Sequence, residues 1–202
     1  MQLPSVRSRF FAFALLFLAF SMLVYAAPAA LVASEGKDLL ARGGTCTVGC
    51  TTGNQVVDIL VKLKADIAIK LDLLDGCYDD GTDPSGVIAD IVVLINAAVA
   101  LILALPKDLL GLLNGKILVI VNLCVSIVIT IATHCAKWSD KAGYDAFLTL
   151  CVVIDIALKA LLSACGGLLG TILGLIAGLL GGANLALLIK VKFYLCIGIL
   201  GL

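Results

Sequence analysis

Val56-Val57-Asp58-Ile59-Leu60-Val61-Lys62-Leu63-Lys64-Ala65-Asp66-Ile67-Ala68-Ile69-Lys70-Leu71-Asp72-Leu73-Leu74 is the stretch on which the fold turns. Leu60, Leu63, Ile67, Leu71 and Leu74 recur at steps of three and four, the period of one helix face. Asp58 and Lys62, and Asp66 and Lys70, are acid-to-base pairs four apart, the order that stabilises a helix. A second pattern competes. Val61, Leu63, Ala65, Ile67, Ile69, Leu71 and Leu73 alternate with mostly polar residues, as in a half-buried strand. The length of the run and the direction of the charge pairs favour the helix. Thr52 and Asn54 are the candidate caps for its start.

The chain beyond it follows the same logic. Asp75 to Gly86 holds Gly, Asp and Pro and reads as a loop. Val87–Leu105 is nearly all apolar, and Pro106 breaks it and is suited to open the next helix. Leu109–Thr133 is rich in Val and Ile, yet its length argues for helix rather than strand. Ala132 to Asp140 is the next polar break, and Tyr144–Ala164 is a further helix with Asp155 and Lys159 on one face. Gly170, Gly174 and Gly178 share a face in Leu168–Leu180, the small-residue spacing of closely packed helices. Gly181-Gly182 interrupts that run, and an apolar tail, Leu185–Leu202, closes the chain. The expected fold class is all-α: a compact, disulfide-stapled bundle of about five or six helices.

At the N-terminus, Arg7 and Arg9 precede the apolar run Phe10–Phe20, and Val24-Tyr25-Ala26-Ala27 follows. A basic region, a short apolar core and small residues form a signal peptide over residues 1–26, cut after Ala26. Residues 27–45 read as a flexible leader or short propeptide, and 46–202 as one domain. Without Arg7 and Arg9, twelve basic side chains face fourteen acidic ones, a net charge of −2. That balance gives no electrostatic hold on nucleic acid.

Apolar residues make up 62% of the chain and the mean hydropathy is +1.17. Ordinary soluble domains are about 45–50% apolar. The excess belongs in a membrane, on an associating surface, or in helices buried all round. Four stretches approach the span length of about 20 residues: Val87–Leu105, Ile117–Thr133, Phe147–Leu162 and Leu168–Ile189. Eight cysteines follow the signal: Cys46, Cys50, Cys77, Cys124, Cys135, Cys151, Cys165 and Cys196. An even count behind a signal peptide implies disulfides, with the pairing open among about 105 possibilities. Cys124, Cys151 and Cys196 lie inside apolar runs, where bridges would staple a secreted core. Membrane proteins more usually keep bridges in lumenal loops, so the staple is the preferred reading.

Candidate chemistry is sparse. His134 is the sole histidine, and its neighbour Cys135 does not share its helical face and is better used in a bridge. Cys46 and Cys50 lack the usual zinc spacing. Asp75, Asp79, Asp80 and Asp83 lack the calcium-loop pattern and read as a solvated acidic turn. No serine has a nucleophile-elbow setting, and no glycine run ends in a phosphate-binding Lys. Catalytic, cofactor and metal sites are therefore not expected. Trp138, Tyr144, Lys137 and Lys141 suit either an interfacial edge or an ordinary helix connection.

The Cys46/Cys50 pair, Cys77 after the patterned helix, and Cys124, Cys135, Cys151, Cys165 and Cys196 in apolar sequence give a recognisable layout. It resembles secreted amphiphilic structural proteins of basidiomycete aerial hyphae. The adjacent cysteine doublets of hydrophobins are missing, so the chain is not one of those. The resemblance implies a cell-wall or extracellular-matrix location and a non-enzymatic role through self-association or contact with wall and interface surfaces. The alternatives are a small multi-span membrane protein and a lipid-binding carrier.

Overall fold

Thr52–Asp80 forms one continuous helix, α1, and its buried side chains settle the helix-or-strand question. Val56, Leu60, Leu63, Ile67, Leu71 and Leu74 are buried in a single stripe, while Lys62, Lys64 and Asp72 face water. The computed structural model describes residues 45–46, 51–108, 113–168 and 171–202, all within the unit Leu40–Leu202. The signal peptide, nearly all of the leader, and Cys50 lie outside the described residues, as does the Cys46 side chain.

α1 runs further than its sequence suggests. The expected loop at Asp75–Gly86 is helical through Asp80, because Cys77 and Tyr78 pack against the core and favour another turn. Gly81 ends it in the left-handed region at φ 67°, and the Gly81 and Thr82 N–H groups both donate to the Cys77 carbonyl. Neither candidate cap holds the other end. Thr51 precedes the helix without a side-chain cap bond, and the Thr52 hydroxyl instead donates to the Pro106 carbonyl at 3.1 Å.

Helix α2, Ser85–Leu103, returns antiparallel to α1. Asp83 organises the turn by accepting from the Ser85 N–H and hydroxyl, each at 2.9 Å. Lys70, placed by the sequence beside Asp66, reaches across the hairpin to Asp90 at 2.8 Å. Pro106 opens no helix. Lys107–Asp108 pairs in parallel with Thr45–Cys46, a two-residue ladder that is the only strand pairing among the described residues. A 3-10 turn at Leu113–Gly115 then leads into α3, Ile117–Lys137. A second 3-10 turn, Trp138–Asp140, connects α3 to α4, Tyr144–Leu168.

Three shorter helices complete the chain: α5, Thr171–Leu180; α6, Ala183–Lys190; and α7, Tyr194–Leu200. Seven helices among the described residues exceed the expected five or six because the tail divides at Lys192. That residue takes φ 60°, its N–H donates to the Ile189 carbonyl, and the Phe193 N–H donates to the Leu188 carbonyl. This is a Schellman stop built on lysine where glycine is usual. α5 and α6 are bent by 92° at Gly181-Gly182, so Leu168–Ile189 is not one straight segment.

The long helices run up and down around a shared core. α1 packs on α2 and α3, α2 packs on α4, and α3 and α4 approach each other less closely. α5, α6 and α7 fill in beside α3 and α4. The core is almost wholly aliphatic, with Phe193, Leu60, Ile67, Ile91, Ile127 and Ile131 among its fully buried side chains.

Candidate functional site

The outer surface is segregated by charge. α1 turns Asp58, Lys62, Lys64 and Asp72 outward, with Asp66 and Lys70 half-buried at the edges of that face. α2 offers only Asp90. α3 contains no ionisable side chain apart from its cysteines until His134 in its last turn, and α5 contains none. In α4 the charged residues are Asp145 in the first turn, Asp155 and Lys159. Large apolar side chains stand exposed on the same helices: Val93, Leu101 and Leu103 on α2, Val152 and Ile156 on α4, and Leu175 and Leu179 on α5. The molecule thus concentrates its charge along α1, where the charged side chains are interspersed with exposed Val61, Ile69 and Leu73, and carries extensive, nearly uncharged apolar surface on α2, α3 and α5. Of the helix-packing face read from the sequence, Gly170 lies outside the described residues, while Gly174 and Gly178 are exposed and a methyl group at either would meet nothing within 4 Å.

Three described helical segments are long and apolar enough to cross a membrane: Ser85–Leu103, Ile117–Asp140 and Tyr144–Leu168. Each also buries a face inside the bundle, including Ile91 and Ile95 from the first, Ile127 and Ile131 from the second, and Ile154 and Leu158 from the third.

Asp155 is the one buried ionisable side chain of α4 other than its cysteines, only 2% exposed. Its two carboxyl oxygens accept from the Leu195 N–H at 2.7 Å and the Cys196 N–H at 3.0 Å. These are N–H groups of the first turn of α7, which have no partners within their own helix. Asp155 therefore caps a helix 40 residues further along. A lone Asp in an apolar run signals a buried polar partner, but nothing in the spacing shows where that partner is.

The cysteines divide by surroundings. Cys124 and Cys165 face each other from α3 and α4 with their sulfurs 3.7 Å apart, both fully buried. Cys135 and Cys151 neighbour each other across the same pair of helices, and both are likewise buried. The six described cysteines from Cys77 to Cys196 are free thiols, so the expected staple is not formed among them. The neighbouring thiol and burial push the Cys124 and Cys135 thiols well above the ordinary range. Cys196 is raised by burial and by its contact with Asp155. Cys77 is half-buried, 4.0 Å from the Asp83 carbonyl.

His134 turns away from Cys135. Its Nδ1 lies 2.9 Å from Asp75 Oδ1, and the Lys137 ammonium donates to the other oxygen of the same carboxyl group. Burial pushes the Asp75 acid up, but hydrogen bonds from Lys137 and His134, with their charges, outweigh it and hold Asp75 below the usual range. This cluster ties the end of α1 to the end of α3. Beside it Trp138 stacks on Phe147 with ring centroids 4.6 Å apart, and Tyr78 meets Trp138 edge-on at 5.7 Å. Lys141 sits over the Tyr78 ring at 4.3 Å. Trp138 is buried, so the interfacial edge read from the sequence is a packed helix junction at this residue. The Tyr144 hydroxyl donates to the Lys190 carbonyl at 2.7 Å.

Among the described residues, no group of three or more His, Cys, Asp or Glu side chains is placed to hold a metal ion. No known family model matches the chain, and no curated protein matches it.

Proposed function

We propose that this protein is a secreted amphiphile, a non-enzymatic helical bundle that adsorbs to interfaces and self-associates through its outward apolar side chains. The observation that carries this reading is the charge segregation between α1 and the other helices. α1 packs along α2 and α3. Thr52 meets Pro106 at one end of the hairpin and Asp75 meets His134 and Lys137 at the far end of α3. If α2 and α3 crossed a bilayer in this arrangement, the six ionisable residues of α1 between Asp58 and Asp72 would lie at hydrocarbon depth. At about 1.5 Å per residue they spread over about 21 Å, most of the roughly 30 Å apolar layer. Each charge at the middle of that layer costs about 2.5–3.5 kcal/mol. At an interface the same surface is favourable: the α1 ridge stays in water and apolar faces meet the other phase.

The membrane reading draws its support from the three long apolar helices. The amphiphile reading accounts for them and for the α1 charges together. A cell-wall or hyphal-surface setting rests on the layout of signal and cysteines alone.

Surface tension and sedimentation test the proposal. The mature chain should lower the surface tension of water and form concentration-dependent assemblies. Replacing exposed Ile156 and Leu179 with Glu should weaken both effects while leaving the helical circular dichroism intact. A wild-type chain that neither adsorbs nor associates would refute the proposal.

A further inference from the structure

We infer that Cys124 is disulfide-bonded to Cys165 and Cys135 to Cys151, two bridges that staple α3 to α4. The inference rests on the reading of the chain as one that matures in an oxidising compartment. Its structural basis is the register of the two helices. Cys124 and Cys135 are 11 residues apart on α3, and Cys151 and Cys165 are 14 apart on antiparallel α4. Both intervals are close to whole numbers of turns, so each pair of cysteines returns to one face. Those faces meet, with the Cys124 and Cys165 sulfurs 3.7 Å apart, and the same antiparallel register sets buried Cys135 beside buried Cys151. A bond requires a separation of about 2 Å, which a small side-chain adjustment supplies from the 3.7 Å between Cys124 and Cys165. The staples also fall where they have most to hold, since α3 and α4 pack less closely on each other than on their other neighbours.

The chemistry is thiol–disulfide exchange with a disulfide-carrying oxidant, either a protein oxidoreductase or a small-molecule disulfide. One cysteine thiolate attacks the oxidant's disulfide, forming a mixed disulfide and releasing one thiol. The second cysteine attacks that mixed disulfide, forming the internal bond and releasing the second thiol. Two thiols of the chain are oxidised and one oxidant disulfide is reduced to two thiols. All four cysteines are fully buried in the folded bundle, and burial disfavours the thiolate that must attack. The bridges therefore form before the core closes.

Peptide mapping of the full chain expressed through a secretory pathway tests the pairing. Free thiols are alkylated under denaturing conditions before cleavage after lysine. Such cleavage keeps Cys124 and Cys135 together on residues 117–137, and places Cys151 on 142–159 and Cys165 on 160–190. The wild-type chain should yield these three peptides as one linked cluster. Cys124→Ser should free the 160–190 peptide with Cys165 alkylated and leave 142–159 linked. Cys135→Ser should free 142–159 and leave 160–190 linked. The opposite pattern of release, or no link from 117–137 to either peptide, overturns the pairing. Peptic digestion of the wild-type chain at low pH separates Cys124 from Cys135 directly, so the result does not depend on the variants folding. Alkylation of all four cysteines in chain recovered from the medium also overturns the pairing, and leaves the secreted reading standing.

Discussion

Asp155→Leu should lower the melting temperature of the bundle by about 6–12 °C, from a loss of about 3 kcal/mol in a protein of this size. The carboxyl group holds the Leu195 and Cys196 N–H groups at 2.7 and 3.0 Å in a site that is 2% exposed. Leucine has similar bulk and removes both acceptors, which leaves the buried Cys196 N–H and the part-buried Leu195 N–H without partners. Each such loss costs about 1–3 kcal/mol. The damage should concentrate in α7, whose short helix depends on this cap, and the loosened segment would release buried Phe193 and Cys196 from the core. Asp155→Asn keeps one acceptor oxygen and should cost roughly half as much. Thermal unfolding followed by circular dichroism gives the total, and amide hydrogen exchange at Leu195 and Cys196 locates it. Equal melting temperatures for the wild-type and leucine proteins would show that α7 is not held this way.

Gly53→Ala should cost about 2–3 kcal/mol. A methyl group on Gly53 would lie 1.8 Å from the Leu113 carbonyl oxygen and 2.3 Å from its carbonyl carbon. Those atoms belong to the backbone of the 3-10 turn leading into α3, in a residue already at φ 41°, so no side-chain rotation relieves the clash. The first turn of α1 would have to move away from α3. Gly174→Ala is the matching control. A methyl there meets nothing within 4 Å, and alanine is favoured over glycine in an exposed helix interior by up to about 1 kcal/mol. The two substitutions should shift the urea midpoint in opposite directions. A Gly53→Ala protein as stable as wild type would contradict the close approach of α1 to the turn before α3.

The contrast between these sites explains what the sequence could reveal. The stripe from Val56 to Leu74 is set by period and charge order within a single helix, so both its secondary structure and its buried face were legible. The apolar runs likewise announced α2, α3 and α4. Features made by contacts between distant segments were not legible. Cys77 and Tyr78 extend α1 because they have a core to pack on, which local turn propensity at Gly76 and Asp75 does not include. Pro106 was a plausible helix start by type, but its segment pairs with Thr45–Cys46 and its carbonyl takes the Thr52 hydroxyl. Lys192 adopts a left-handed conformation that composition assigns to glycine, so the division between α6 and α7 had no local signal. The partners of Asp155 and His134 lie 40 and 59 residues away. The cysteine count suggested staples, but only the register of α3 against α4 brings particular thiols together.

Partition of the full chain between culture medium and membranes after secretory expression distinguishes a secreted amphiphile from a membrane-spanning bundle. The mature protein should be recovered from detergent-free medium, or from wall and interface material by mild extraction, and Lys62 and Lys64 of the folded chain should react with a water-soluble amine reagent. Retention of most of the chain in membranes after an alkaline carbonate wash, with Lys62 and Lys64 protected until detergent is added, would contradict the secreted amphiphile and place α1 and its charges within a bilayer assembly.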